Sequence, residues 1–365
     1  MTLIGDRGSA DTSASIRLVL VAMLIVGTAM MVLPVALQLP AKTQGVDDLT
    51  NAFRESFRAE DLAASRADMD LMTAMIQQLQ SEALPTFADE VDLRRDELEQ
   101  LVGDAYPEVG DGLGQMAVIL PYFDGLITSL EAQEENFRRA DAIPLRSAPT
   151  TLVPYLLGVP GALIASSAAV ALFTGREMRR PALITAALTA VSLVALPLLW
   201  HIPNKAQAVD DFTAAFRPSF TEEGAQQMDR YMTVIEDMSD AALRDALPGL
   251  ASLLGTTRGG LDERLQRDFP TVHQGLQALP EIVQQFRSLV EGVEANLDTF
   301  ALADGIPSQG TPTTLIHWLY VVPGLLVLAL SAAALIPIRR SGPATPGEPG
   351  ERAPHHADEV LGARF

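Results

Sequence analysis

The sequence predicts an all-α membrane protein with four transmembrane helices and two extracytoplasmic elongated helical-bundle domains, arranged as a tandem parallel repeat. Three observations lead to this fold class. The 365-residue chain contains four long apolar runs without charged residues, a duplication at an offset of 163 residues, and apolar stripes at helical spacing. No stretch alternates apolar and polar residues in the way that strands do.

The four apolar runs cover residues 18–39, 152–173, 182–202 and 315–338. Each has about 20 residues, enough for a helix to cross a hydrocarbon core of ~30 Å. A backbone in lipid must satisfy its own hydrogen bonds, which favours helices. We interpret the first run as a retained anchor rather than a cleaved signal peptide, because the third run matches it within the duplication.

Arginine placement predicts the orientation of the spans. Arginines cluster in cytoplasmic segments by the positive-inside rule, so a plasma-membrane, multi-pass protein with both termini in the cytoplasm is predicted. The arginines that flank the spans on this side are Arg17, Arg176, Arg179, Arg180, Arg339 and Arg340. The resulting segments are a cytoplasmic N-terminus (1–17), outer domains (41–149 and 204–312), a cytoplasmic loop (174–181) and a cytoplasmic tail (339–365). The tail is rich in Pro, Gly and charge from Ser341 onward, which predicts disorder.

The duplication is the strongest signal in the chain. Residues 42–57 (KTQGVDDLTNAFRESF) and 205–220 (KAQAVDDFTAAFRPSF) are identical at 11 of 16 positions. Residues 149–161 (PTTLVPYLLGVPG) and 312–324 (PTTLIHWLYVVPG) are identical at 8 of 13. A local slip is inferred near Met69 and Met228. A unit of span, outer domain and span returns to its starting side, so both copies are predicted to share one orientation.

The outer domains are predicted to be helical because apolar residues recur every three or four positions. The segment before each return span carries a heptad stripe, Val109 to Phe137 in the first copy and Val272 to Phe300 in the second. Pro121 and Pro280 are expected to kink or restart these helices. The pairs Asp47-Asp48 and Asp210-Asp211 are expected in the first turns of their own helices, where the macrodipole favours anions. About four helices per domain are predicted.

The composition of the chain excludes several classes of function. The net charge is −20 and the chain has no cysteine. The charge argues against a nucleic-acid partner. The missing cysteines exclude disulfides, thiolate catalysis and Cys-ligated metals. No phosphate loop, nucleophile elbow or metal-ligand motif stands out, so no catalytic residue, cofactor or metal site is predicted.

Six residues at repeated positions are structural or partner candidates: Lys42, Lys205, Arg54, Asp141, Arg217 and Asp304. The only two lysines of the chain follow a proline near the outer end of a span. They suit snorkelling to headgroups, or contact with a lipid phosphate or an acidic partner. Each Arg–Asp set is predicted to meet as a structural ion pair across the membrane end of its domain. The repeated Pro-Gly pairs at 160–161 and 323–324 fit helix packing or a substrate path.

These features favour a non-enzymatic membrane protein, an accessory or scaffold subunit of a cell-envelope complex. The alternative is a transport or lipid-handling membrane protein, which predicts an open apolar groove. A sensor is a third reading, but the cytoplasmic segments are too short for an output domain. The expected partners are membrane lipids and other envelope membrane proteins, and a homo-oligomer is possible. Two lysines against 24 arginines suggest a GC-rich bacterial genome.

Overall fold

The computed structural model describes residues 7–143, 148–174, 176–308 and 310–340, and the predicted disordered tail from Ser341 lies outside them. Every regular element in these ranges is helical, which confirms the all-α class. The first half contains α1 (Arg7–Ala36), α2 (Leu39–Phe53), α3 (Ala59–Gln78), α4 (Leu84–Glu90), α5 (Arg95–Ala105), α6 (Pro107–Ala140) and α7 (Leu152–Phe173). The second half contains α8 (Arg176–Leu199), α9 (Ile202–Phe216), α10 (Glu222–Ala241), α11 (Leu247–Leu253), α12 (Arg258–Asp268), α13 (Pro270–Ala295), α14 (Leu297–Asp304) and α15 (Ile316–Arg340).

Element bounds in the two halves correspond closely. The helices α2 to α5 and α9 to α12 begin 163 residues apart and have equal lengths, and a π-helical turn follows both α3 (Leu79–Ala83) and α10 (Ala242–Ala246). We call the residue 163 positions later the counterpart. The local slip inferred near Met69 and Met228 is wrong, because the counterpart of Met69 is Met232 and both are fully buried. The matched prolines start helices at N1 or N2, where a missing N–H costs nothing.

The long helices do not restart at their internal prolines. Helix α6 continues through Pro121, and α13 continues through Pro280. The second half instead has a break at Asn296, whose side-chain amide donates to the Gly292 carbonyl at 2.8 Å. The expected restarts at proline are therefore wrong. The neighbouring helices hold α6 and α13 along their length, which outweighs the lost proline N–H.

Helices α1, α7, α8 and α15 contact one another in a ring that we call the base. Small residues permit the closest approaches. A Cβ on Gly27 would lie 2.6 Å from the Ala165 nitrogen, and one on Gly161 would lie 2.8 Å from Met30. In the second half a Cβ on Gly324 would meet Val194 at 2.8 Å. Close packing through small residues is typical of membrane helices, so the repeated Pro-Gly pairs lie at helix contacts.

Among the residues that the structure describes, five helices are long and apolar enough to cross a membrane: Ala14–Ala36, Pro107–Ala140, Leu152–Phe173, Glu177–Leu199 and Thr313–Ile336. Four of them correspond to the predicted spans and belong to the base. The fifth is α6, whose apolar window has a mean hydropathy of 1.3, against 2.0 to 2.6 for the others. The chain therefore has several helices that could span a membrane.

The remaining helices, α2 to α6 and α9 to α14, form what we call the body. Its contacts do not divide it into one bundle for each half. Helix α2 packs on α14 and α9 packs on α6, while α3 contacts α13 and α10 contacts α6. A Cβ on Gly112 would lie 2.7 Å from Met238, and a Cβ on its counterpart Gly275 would lie 2.5 Å from Met75. The structure thus pairs helices across the halves, because each apolar stripe finds its complementary face there.

Helices α3, α6, α10 and α13 form the centre of the body. Each of them contacts one long helix of its own half and one of the other half. The heptad residues of α6 and α13 face this centre, as shown by buried Met116, Phe123, Leu279 and Phe286. The rings of Phe123 and Phe286 meet edge to face with their centroids 5.5 Å apart. One apolar core therefore runs through both halves.

Candidate functional site

Two regions were considered as candidate sites: the level at which the body joins the base, which we call the collar, and an apolar cavity at the far end of the body. The collar contains all six residues that the sequence singled out. The cavity lies near the start of α6, and this helix of 34 residues is ~51 Å long and ends near the collar. The two regions are therefore well separated.

Two aspartates of the collar cap the returning helices. Asp47 accepts the Thr150 N–H at 2.8 Å and the Thr151 N–H at 3.3 Å, at the start of α7. Its counterpart Asp210 accepts the equivalent N–H groups of Thr313 and Thr314 at 2.8 and 3.4 Å. The expectation that these aspartates lie in the first turns of α2 and α9 is wrong, because both helices begin eight residues earlier. Each carboxylate instead stabilises the positive end of another helix.

The two lysines of the collar each donate to the other half. Lys42 Nζ donates to the Pro307 carbonyl at 2.8 Å, and Lys205 Nζ donates to the Ala142 carbonyl at 2.8 Å. Both side chains are partly buried, and burial lowers the pKa of Lys205. These contacts are reciprocal, because each lysine reaches the segment that leads into the other half's returning helix. In this structure the ammonium groups bind backbone carbonyls of the protein.

The Arg–Asp sets lie together in both halves. Arg54 is 2.6 Å from Asp141, and Arg217 is 2.7 Å from Asp304. The arginine side chains are 51% and 60% exposed, whereas the aspartate side chains are 23% and 25% exposed. The hydrogen bond from Arg217 lowers the pKa of Asp304. Stacked phenylalanines lie in the same region, Phe57 on Phe137 and Phe220 on Phe300.

Sequence reasoning missed an ion pair whose signs are exchanged between the halves. Arg66 on α3 pairs with Asp124 on α6, and it also contacts Glu131 at 2.8 Å. At the counterpart positions Asp229 on α10 pairs with Arg287 on α13 at 2.6 Å. The aligned copies contain the signal, since an arginine faces an aspartate at one pair of positions and the reverse holds at the other. Each half therefore keeps an attractive ion pair between these two helices, with the positive and negative residues at exchanged positions.

The far end of the body contains a cavity of about 110 Å³, and all 17 residues that line it are apolar. Seven pairs of counterparts, 14 of these residues, come from both halves, so the cavity lies between them. The pairs are Met75 and Met238, Leu79 and Ala242, Leu84 and Leu247, Phe87 and Leu250, Val102 and Leu265, Val109 and Val272, and Leu113 and Leu276. An apolar lining without polar partners excludes acid–base chemistry at this site and suits an apolar ligand.

The lining is asymmetric in burial. The first-half residues Leu84 and Phe87 are buried, whereas their counterparts Leu247 and Leu250 on α11 are partly exposed. The π-helical turn from Ala242 to Ala246 leads directly into α11. Turns of this kind interrupt the regular hydrogen-bond pattern and occur frequently at functional sites. The open side of the cavity therefore lies beneath α11.

Across the described ranges no group of three or more His, Asp and Glu residues is placed to hold a metal ion. No protein-family model, curated protein or solved structure matches the chain. The assignment of function therefore depends on the collar and the cavity alone.

Proposed function

We propose that this chain is a non-enzymatic integral membrane protein that serves as an accessory or scaffold subunit of a cell-envelope complex. In this proposal the base lies in the plasma membrane and the body lies outside the cytoplasm. The main support for the proposal is the pair of reciprocal lysine contacts at the collar. Each half ties its first body helix to the returning segment of the other half, so the body has a fixed orientation on the base.

The proposed topology has four spans and two cytoplasmic termini. Arginines lie on the cytoplasmic side by the positive-inside rule. Helix α6 is assigned to the body, because it packs on α3, α5, α9 and α10 and carries charged residues such as Asp124 and Glu131. The two halves are proposed to be copies of one unit in parallel orientation, related by an axis near the membrane normal.

A rigid platform suits a scaffold for a physical reason. A partner that binds a body of fixed orientation does not have to order it, which lowers the entropic cost of binding. The collar combines capped helices, lysine–carbonyl contacts and stacked phenylalanines in both halves. The rest of the acidic body surface is available for envelope proteins with basic faces.

Transport or lipid handling is the second candidate function. A path through the spans has little support, because Gly27, Gly161 and Gly324 let the base helices pack directly on one another. Lipid handling by the body is favoured by one observation, the apolar cavity at its far end. A scaffold and a lipid-binding body are compatible, since the collar and the cavity are separate.

Cross-linking in native membranes followed by purification in mild detergent tests the scaffold proposal. We expect one envelope membrane protein to co-purify in a fixed ratio with the chain. A matched variant, Lys42→Met with Lys205→Met, should lower this ratio while the protein remains in the membrane. A chain that purifies alone after cross-linking, or a ratio that the double variant leaves unchanged, would contradict the proposed role.

A further inference from the structure

We propose that the cavity at the far end of the body binds the terminal part of a lipid acyl chain and that helix α11 covers the site. The lining is apolar throughout and comes from both halves. It offers no group that could bind a polar head, so only a hydrocarbon portion of a ligand would enter. Met75 and Met238 both line it, and flexible methionine side chains adapt to ligands of variable shape.

Three of the seven counterpart pairs differ in size, and in two of them the second half has the smaller side chain, while Leu265 is larger than its counterpart Val102. Ala242 lines the cavity where the first half has Leu79, and Leu250 lines it where the first half has Phe87. Phe87 is buried and meets the ring of Phe269 edge to face at 5.5 Å. The second half therefore leaves unfilled the space that its counterpart fills. Leucine at position 242 and phenylalanine at position 250, the side chains of the first half, would reduce this space.

Helices α4 and α11, which both line the cavity, also differ in the contacts that fix their ends. Arg264 on α12 pairs with Glu90 at the end of α4, and its guanidinium lies 5.3 Å from the centroid of the Phe87 ring, so this ion pair joins the two halves. The counterparts of Arg264 and Glu90 are Leu101 and Leu253, which are 46% and 42% exposed. Helix α4 is thus joined to α12 by an ion pair, whereas the counterpart positions, Leu253 on α11 and Leu101 on α5, carry no charge. We infer that α11 opens more readily than α4.

The volume of the cavity and the apolar surface beside it favour a linear hydrocarbon ligand. An apolar cavity of ~150 Å³ remains dry and takes a ligand as small as benzene, so about 110 Å³ admits a few methylene groups. Exposed Leu101 and Leu253 adjoin the lining residues Val102 and Leu250 and extend the apolar surface outside. A linear hydrocarbon chain can occupy both, whereas a compact ligand can occupy only the cavity. Because the cavity lies far from the base, the proposed occupant is the acyl chain of a lipid that has left the bilayer.

Photolabelling of the full-length protein in lipid nanodiscs tests this site. The probe is palmitic acid with a diazirine near its methyl end, and labelled peptides are mapped by mass spectrometry. We expect labels in the base helices, which contact lipid in any case, and a second set near residues 75–87 and 242–254. The variant Ala242→Leu with Leu250→Phe should reduce the second set at least tenfold and leave the base labels unchanged. The base labels thus serve as an internal control for probe and light.

Further variants keep the test decisive. If the double variant does not fold, Leu250→Phe alone places the first-half side chain at its counterpart position and should reduce body labelling several-fold. The variant Leu101→Arg with Leu253→Glu installs between α5 and α11 the counterpart of the Arg264–Glu90 ion pair and should slow labelling without filling the cavity. Body labelling that persists in a folded, filled variant would overturn the proposal, as would wild-type labels confined to the base. Stronger competition by toluene than by unlabelled palmitic acid would overturn the choice of an acyl chain. These readouts need no partner protein, so they are independent of the scaffold role.

Discussion

The collar and the far end of the body differ in how closely the two halves resemble each other. At the collar, every contact described in one half recurs in the other with the same residue types: Asp47 and Asp210, Lys42 and Lys205, and the two Arg–Asp pairs. At the far end the counterparts differ in size and charge, as with Phe87 and Leu250 or Arg264 and Leu101. The two halves thus have the same residue types at the collar, where they contact each other, and different residue types around the cavity.

The largest effect is expected from removing a collar cap. Asp47→Ala leaves two N–H groups at the start of α7 without their acceptor, which should lower the free energy of unfolding by about 1–3 kcal/mol. Asp210→Ala should have a similar effect on α15. Thermal unfolding in one detergent provides the measurement. Exposed Asp48→Ala is the matched control, and an equal loss in this control would contradict the capping role.

The exchanged ion pair offers a sharper comparison of the halves. Arg66→Asp or Asp124→Arg alone places like charges together and should cost about 1–2 kcal/mol of unfolding free energy. The double variant reproduces the arrangement of Asp229 and Arg287 and should recover most of that loss. Unfolding curves of the two single variants and the double variant would show the recovery. Purely additive losses would indicate that the two positions do not interact.

The Arg–Asp pairs of the collar should contribute less. A double-mutant cycle on Arg217 and Asp304 should give a coupling energy below about 1 kcal/mol, because the arginine is 60% exposed. The pKa of Asp304 is lowered, so the pair stabilises the protein at neutral pH, and this contribution disappears as the pH falls through that lowered pKa. The cycle should therefore be repeated under acidic conditions. A coupling that grows on acidification would contradict the assignment.

The smallest effect concerns a polar contact between α3 and α13. Burial, together with the nearby Glu281 carboxylate, raises the pKa of Asp68. Its charged form therefore costs stability above the raised pKa, and the cost disappears as the pH falls to about 4, the ordinary value for aspartate. Asp68→Asn should raise the melting temperature by a degree or two at neutral pH and by less under acidic conditions. Exposed Asp70→Asn should change it at neither pH.

Reporter fusions test the proposed topology, and the structure guides their placement. Asp92 and its counterpart Gly255 lie in exposed turns with positive φ, where an insertion is tolerated. Gly112 and Gly275 are unsuitable because Met238 and Met75 pack directly against them. Fusions at Asp92 and Gly255 should report the extracytoplasmic side, and a fusion at Thr174, between α7 and α8, should report the cytoplasm. A cytoplasmic signal at either outer position would contradict the four-span proposal.

The sequence was sufficient to predict features that depend on local composition. Uncharged apolar runs identified the helices of the base, and three- or four-residue spacing identified the helices of the body. The sequence could not show which half supplies the partner of each helix, because an apolar stripe identifies a face and not its neighbour. For the same reason the Asp47 carboxylate was expected to stabilise the start of its own helix α2, although it caps α7. The cavity was also hidden, since Ala242 and Leu250 are ordinary core residues until packed together.

Cysteine-pair cross-linking tests the central claim that the two halves interlock. The chain has no native cysteine, so an engineered pair reacts without background. A Cβ at Gly45 would lie 2.8 Å from the Leu302 Cβ. A small outward shift brings Gly45→Cys and Leu302→Cys to the Cβ separation of about 3.5–4.5 Å that a disulfide needs, and Ala208→Cys with Arg139→Cys is the counterpart pair. The interlocked structure predicts an intramolecular disulfide in both pairs in native membranes, and none for Gly45→Cys with Arg139→Cys. A disulfide in that last pair, with none across the halves, would contradict interlocking and favour two separate bundles.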